Sequence, residues 1–215
     1  TSHTSIMARA LEIPAVVGVA NALAQVQPNE RVIVDGFRGE IVIGPTPEMI
    51  AEAEGRSARH DAMVQHLRED RERQATTADG TPVHLFGNVE LPAEALLALD
   101  HGAEGIGLYR TEFLYIDRAA PPTEEEQFRV YRAMVEACAP RPVTLRTFDI
   151  GGDKFVSTFQ LPAEMNPALG LRAVRLALSR PDVFLDQIRA MLRASAFGSV
   201  RIMIPMVTGL RELSE

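Results

Sequence analysis

Short apolar runs alternate with amphipathic segments over most of the chain, which predicts a protein of the α/β class. The pattern is clearest after about residue 81, where four apolar runs are each followed by a helix-like segment. Because these runs are apolar on both faces, they are typical of strands in a buried parallel sheet. The pattern fits either half of a (β/α)8 barrel or an open doubly wound sheet. The predicted strands cover residues 83–89, 105–109, 143–147 and 200–205.

The helix-like segments of this region carry recognisable boundary signals. One of them opens with Thr123 and has Glu126 three residues later. This is the spacing of a capping box, in which each residue's side chain accepts a hydrogen bond from the other's backbone N–H. The predicted helices cover residues 92–100, 123–138, 172–179 and 183–194, and a further helix-like segment starts after the last strand.

The sequence of the first part of the chain predicts a small β-rich domain with one helix. The helix covers residues 4–11 and ends before Pro14, because proline cannot continue a helix. Strand-like runs follow at residues 15–20, 31–35 and 40–44. The last two flank a segment that contains Gly36 and Gly39, and glycines suit a tight reversal, so we predict a β-hairpin there.

Residues 46–76 are predicted to form a polar helix that links two domains. Thr46 is a suitable N-cap and Pro47 suits the first helical position. The segment has too few apolar residues to form part of a core, and we expect it to divide at Gly55. The resulting division is a domain at residues 1–45, a helical linker at 46–76 and a βα domain at 77–215.

Composition excludes several classes of protein. Apolar residues make up 46% and charged residues 24%, as in ordinary globular proteins with a core. The formal net charge of −7 argues against general binding of nucleic acid, and no apolar run is long enough to span a bilayer. The single cysteine, Cys138, excludes an internal disulfide framework and indicates a reducing cytoplasm. An anionic substrate is still compatible with this charge if a few arginines line a cleft.

The segment around His3 has the features of a phosphate site. Hydroxyl residues flank His3 on both sides, Arg9 follows nearby, and the predicted helix starts here. Helix N-termini and hydroxyl groups bind phosphate oxygens, and a neutral imidazole is a good phosphoryl acceptor near pH 7. From these residues alone, an exposed histidine in a polar helix cap is the simpler explanation.

Three arginines are expected at the functional edge of the predicted sheet. Arg110 and Arg146 lie at the ends of two strands, and Arg172 follows a later loop. Active sites of parallel α/β folds form at the carboxyl ends of strands, and guanidinium groups bind phosphate or carboxylate in a bidentate manner. Structural ion pairs are an equally good explanation, with Glu112, Asp149 or Asp153 as partners. The remaining histidines lack the spacing of metal ligands, so no metal site is predicted in this chain.

Four segments, taken together and in order, are more specific than any one motif. They closely resemble Enzyme I of the phosphoenolpyruvate:sugar phosphotransferase system, and the similarity covers almost the whole chain. The resemblance implies part of a phosphohistidine (swivelling) β/α domain, a linker helix, and roughly the first half of a (β/α)8 barrel that binds phosphoenolpyruvate. The segments are residues 1–9, 102–117, 146–154 and 166–172.

The resemblance also implies a function. His3 would take the phosphoryl group from phosphoenolpyruvate and pass it to the phosphocarrier protein HPr, the first step of sugar phosphotransfer. Arg110 and Arg146 would bind phosphoenolpyruvate, with Arg172 near the same pocket. Mg²⁺ would be required, with ligands beyond residue 215, where the family's acid cysteine also lies. We expect the complete enzyme to be a cytoplasmic homodimer, and this chain to be a fragment that is inactive by itself.

Two other functions remain open from the sequence. A pyruvate phosphate dikinase or phosphoenolpyruvate synthase shares the phosphohistidine and barrel domains but also uses a nucleotide. A non-catalytic anion-binding module would keep the arginines and would need no phosphorylated histidine.

Overall fold

A computed structural model describes residue 8 and residues 13–116, 118–151 and 166–215. The chain forms two compact units, Thr1–Arg71 and Glu72–Glu215. Of the helix predicted at residues 4–11, only Ala8 is among the described residues, and it is helical. The predicted division at 1–45, 46–76 and 77–215 stays a prediction.

The first unit contains the predicted hairpin, with β1 at Val32–Asp35 and β2 at Glu40–Ile43 paired antiparallel. The Asp35 carboxylate closes the turn, since it accepts hydrogen bonds from the backbone N–H groups of Phe37 (3.1 Å) and Arg38 (3.0 Å). The prediction of a strand at residues 15–20 is wrong. Gly18 has a φ of 77°, outside the β region, and a short helix, α1 (Ala22–Gln25), follows.

The polar helix α2 runs unbroken over Pro47–Asp70 and begins at Thr46, whose hydroxyl accepts the N–H of Met49 at 3.4 Å. None of its residues is buried, as the polar sequence predicted. The expected break at Gly55 is wrong: one glycine costs only about 1 kcal/mol in a helix, and an Arg56–Glu52 ion pair (2.6 Å) spans the turn that contains it. Among the described helices, none combines the length and the apolar character needed to cross a bilayer.

The second unit has the predicted parallel sheet with helices packed on it. Its four strands are adjacent in chain order and all pairs are parallel. Three of the strands are shorter than predicted, and the first begins four residues late, while the second has the predicted length but is shifted by one residue. The strands are β3 (Gly87–Val89), β4 (Ile106–Arg110), β5 (Val143–Arg146) and β6 (Val200–Met203). The helices are α3 (Pro92–Asp100), α4 (Glu124–Cys138), α5 (Ala173–Ser179), α6 (Pro181–Ala194) and α7 (Leu210–Ser214).

One face of this sheet packs against α4 and α6 and forms the main core. Tyr109 and Leu145 project into that core from β4 and β5, and both are at most 1% exposed. Successive side chains of a strand point to opposite faces, so Arg110 and Arg146, which follow directly, project from the other face. The apolar alternation that builds the core therefore also orients the two arginines.

On the sheet face opposite the helices, a side chain of β6 contacts the residue just before β3. The guanidinium group of Arg201 on β6 lies 5.8 Å from the centre of the Phe86 ring, just before β3. Gly107 on β4 makes room for this ring, because a Cβ there would lie 2.7 Å from Cβ of Phe86. A larger residue at position 107 would displace Phe86.

The predicted capping box at the start of α4 is confirmed and generates a pH-dependence prediction. Thr123 Oγ1 accepts the N–H of Glu126 (3.3 Å), and the Glu126 carboxylate accepts the N–H of Thr123 (2.8 Å) and pairs with Arg118. The hydrogen bond from the Thr123 backbone, assisted by Arg118, lowers the pKa of Glu126 to about 2.

Because the folded pKa lies below the unfolded one, the charged carboxylate stabilises the fold fully above the ordinary value of 4.5. This stabilisation is lost as the pH falls toward 2. Glu126→Gln should therefore be less stable than the parent at pH 7, and the difference should narrow at pH 3, as measured by denaturant unfolding. Glu136→Gln, which removes a carboxylate from an exposed ion pair on the same helix, is the control. If Glu126→Gln lowered the free energy of unfolding by the same amount at pH 7 and at pH 3, this stabilising role of the charged carboxylate would be contradicted.

Candidate functional site

Arg110 and Arg146 lie side by side at the carboxyl ends of β4 and β5, where they are register partners. Glu90 follows β3 directly, next to the paired residues Val89 and Tyr109. Its carboxylate accepts a hydrogen bond from Nη1 of Arg110. Three adjacent strand ends thus contribute charged side chains to one edge of the sheet, which is the functional edge of parallel α/β folds.

Glu112 forms hydrogen bonds with both the Arg146 side chain and the backbone just after β5. It lies in the turn Thr111–Tyr115, a short 3-10 helix after β4. Its Oε1 accepts hydrogen bonds from Nη2 of Arg146 (2.8 Å) and from the backbone N–H of Asp149 (2.7 Å). Asp149 Oδ2 lies 3.6 Å from Nη1 of Arg146. Two carboxylates therefore orient one guanidinium group.

Arg172 joins the same cluster from the residue before α5. Its Nε and Nη2 each lie 2.9 Å from Oδ1 of Asp149. Gly151 allows this approach, since a Cβ there would lie 3.0 Å from Cβ of Arg172. Ala173 has a φ of 49°, which strains a residue with a side chain. Such strain is found at sites where the surrounding structure over-determines the backbone.

The charges of this arginine cluster, defined as Arg110, Arg146, Arg172, Glu90, Glu112 and Asp149, balance one another. The Arg146–Glu112–Asp149–Arg172 part is only 15–20% exposed, so pairing lowers the cost of holding charges away from water. Arg110 is 41% exposed and opens to solvent. The ion pairs expected from the sequence are therefore present for Arg146 and Arg172, while Asp153 lies outside the described residues.

The cluster still has unused hydrogen-bonding capacity. Among the described residues, Nε of Arg110 and Nε of Arg146 are buried donors with no hydrogen-bond partner, and Oε2 of Glu112 is a buried acceptor with none. A guanidinium group has five N–H donors, and the described hydrogen bonds of Arg110 and Arg146 each use one nitrogen. Ion pairing and binding of an anion are thus compatible at the same arginines.

A buried glutamine fixes the strand ends beneath the cluster. Gln187, on α6 and 0% exposed, donates from Nε2 to Thr111 Oγ1 (3.1 Å) and to the Tyr131 hydroxyl (3.0 Å). Its Oε1 accepts the backbone N–H of Phe148 (2.9 Å). Thr111 Oγ1 in turn donates to the carbonyl oxygen of Arg146 (2.8 Å). The position of Arg146 is therefore connected to a helix on the far side of the core.

A second buried glutamine completes this hydrogen-bond network on α4. Gln127, also 0% exposed, accepts from the hydroxyls of Tyr131 (3.0 Å) and Tyr115 (3.3 Å) and donates to the carbonyl of Pro122 (3.1 Å). Burial raises the pKa of both tyrosines well above the ordinary value, so both hydroxyls stay protonated and donate. Leaving any member without a partner would cost about 1–3 kcal/mol.

Some residues of the arginine cluster and of the hydrogen-bond network beneath it have no clear signal in the sequence. Glu90 was detectable in principle, because it follows a strand directly. Gln187 was not, since one glutamine on an amphipathic helix does not show which way it points. His3 and Arg9 lie outside the described residues, so their predicted roles stay predictions.

No resident metal is assigned to this site. In the described parts of the chain, no group of three or more His, Cys, Asp or Glu side chains is arranged to hold an ion. The three carboxylates of the arginine cluster are each paired with an arginine.

Comparison with known proteins agrees with this geometry. Residues 64–215 match the family described as PEP-utilising enzyme, PEP-binding domain, and residues 1–39 match PEP-utilising enzyme, mobile domain. Proteins named phosphoenolpyruvate-protein phosphotransferase from Bacillus sp. (strain S) and Geobacillus stearothermophilus are each 49% identical over 215 residues. That alignment covers 100% of this chain and 37% of each relative. The protein of that name from Staphylococcus carnosus is 47% identical, with 38% of it covered.

The chain thus spans little more than a third of the length of these curated relatives. Phosphoenolpyruvate-protein phosphotransferase is another name for Enzyme I, the family that the sequence motifs resemble. The predicted resemblance is therefore confirmed. With a match that runs from residue 64 to residue 215 and a strand edge that gathers three arginines, this chain belongs to the phosphoenolpyruvate-utilising enzymes.

Proposed function

We propose that this chain is the central part of a phosphoenolpyruvate-protein phosphotransferase, in which His3 accepts the phosphoryl group of phosphoenolpyruvate and passes it to HPr. The observation that carries this proposal is the pairing of Arg110 and Arg146 at the carboxyl ends of adjacent parallel strands. Identity of 44–49% along the whole chain to proteins of that name supports it.

The second unit is proposed to be the first half of a (β/α)8 barrel. Four parallel strands in unbroken chain order support this, because successive barrel strands are neighbours.

Phosphoenolpyruvate carries a phosphate and a carboxylate, and both suit guanidinium donors. The guanidinium N–H groups of Arg110 and Arg146 that their described hydrogen bonds leave unused are the donors we assign to the substrate's anionic oxygens. Arg172 would add a third positive charge beside them. Glu90, Glu112 and Asp149 hold these side chains in place before substrate arrives, so little ordering is required on binding.

The proposed transfer forms a bond between an imidazole nitrogen of His3 and phosphorus and breaks the bond between phosphorus and the enol oxygen. The enolate that leaves takes up a proton at carbon to give pyruvate. The phosphoryl group then moves from His3 to a histidine of HPr. Such transfers depend on in-line positioning and on neutralising charge at the transferring group.

Mg²⁺ is proposed as the cofactor of the complete enzyme, where it would neutralise charge on the phosphate. As the family resemblance implies, we propose that its ligands lie in the barrel half beyond residue 215. A cytoplasmic homodimer remains the proposed state of the complete enzyme.

Phosphorylation of His3 is the first test. The complete enzyme, incubated with labelled phosphoenolpyruvate and Mg²⁺, should acquire an acid-labile label that moves to HPr without any nucleotide. His3→Ala should remove the label, whereas His66→Ala, at an exposed histidine of α2, should retain it. A label that persists in His3→Ala would refute the assignment, and a requirement for nucleotide would favour a dikinase.

Substrate binding by the arginines is the second test. Arg110→Lys and Arg146→Lys keep the charge but lose the planar fork, so each should raise KM for phosphoenolpyruvate by about 10- to 100-fold, as expected for loss of charge-assisted hydrogen bonds. Arg129→Lys, on the exposed side of α4, is the matched control and should leave KM unchanged. Unchanged KM values in Arg110→Lys and Arg146→Lys would refute the proposed substrate site.

A further inference from the structure

We propose that Thr111 and Gln187 are positioning residues that set where Arg146 meets the substrate; this inference rests on the proposed function of Arg146. Neither side chain belongs to the arginine cluster, and both are fully buried. Their effect passes through the backbone of β5 rather than through the guanidinium group.

The backbone at the carbonyl of Arg146 and just after it is held by this pair. Thr111 Oγ1 donates to the carbonyl oxygen of Arg146 itself (2.8 Å). Gln187 Oε1 accepts the N–H of Phe148, two residues later, at 2.9 Å. The N–H between them, that of Thr147, is held by the Met203 carbonyl of β6 at 2.9 Å. The strand end therefore has three consecutive restraints, and the pair supplies two.

Gln187 also joins the two restraints into one unit. Its Nε2 donates to the same Thr111 oxygen that donates to Arg146. Loss of the Gln187 amide would free the N–H of Phe148 and leave Thr111 Oγ1 without one of its partners. Catalytic arrangements are sensitive to such changes, since a displacement of about 1 Å can cost about 100-fold in rate.

Gln127 provides a matched comparison within the same network. It is as deeply buried as Gln187 and also bonds to Tyr131. Its other described partners are the Tyr115 hydroxyl and the Pro122 carbonyl, not the ends of β4 or β5. Both glutamines thus contribute to stability, while only Gln187 contacts the backbone next to Arg146.

The experiment uses the complete enzyme that contains this chain, with unfolding midpoint, kcat and KM for phosphoenolpyruvate measured for each variant. Thr111→Val keeps the shape but loses the hydroxyl, and Thr111→Ser keeps the hydroxyl. Gln187→Met and Gln127→Met remove one amide each. We expect Thr111→Val and Gln187→Met to raise KM by about tenfold. Thr111→Ser should restore the parent KM, and Gln127→Met should lower the midpoint with KM within about twofold of the parent.

The outcomes separate this inference from the proposed function. If Arg146→Lys raises KM while Thr111→Val and Gln187→Met change only the midpoint, as Gln127→Met does, positioning by this pair is wrong. If Arg146→Lys itself leaves KM unchanged, the substrate site is wrong instead. Should Gln187→Met fail to fold, the contrast between Thr111→Val and Thr111→Ser decides the question.

Discussion

The hydrogen bond from the Thr111 hydroxyl to the carbonyl of Arg146 is the contact on which the site depends most. It joins the ends of two parallel strands at the level where their arginines emerge. Gln187 holds that hydroxyl from α6, so the helix layer and the strand ends share one network. Because both side chains are excluded from water, breaking either bond leaves a polar group without a partner, which costs about 1–3 kcal/mol. The network therefore resists displacement of the edge that carries the arginines.

Electrostatic balance explains how three arginines are held close together before a substrate arrives. The three positive charges repel one another, and Glu90, Glu112 and Asp149 compensate them through direct contacts. Compensation would prevent anion binding only if it used every donor. The described hydrogen bonds of Arg110 and Arg146 instead use one nitrogen each, so the carboxylates act as supports that orient the guanidinium groups and leave other N–H donors for an anion.

Much of the fold was predictable because local signals agree with the tertiary structure. The apolar strands, the capping box at Thr123 and the glycines of the hairpin each specify an element that the structure contains. The failures have physical reasons. Gly55 is tolerated because propagation of a helix outweighs one poor residue, and the run at residues 15–20 contains Gly18 in a left-handed conformation. The position of Arg110 and Arg146 at strand ends was predictable from the apolar runs before them, but the direction of Gln187 depends on packing that no local pattern encodes.

We propose that phosphoenolpyruvate binds at the arginine cluster through donors that the carboxylates leave unused. A crystal structure of the complete enzyme with phosphoenolpyruvate and Mg²⁺ tests it most directly. Substrate oxygens should lie within about 3 Å of guanidinium nitrogens of both Arg110 and Arg146, with Glu112 still bonded to Arg146. Substrate bound away from this strand edge, with both arginines engaged only by their carboxylates, would contradict it.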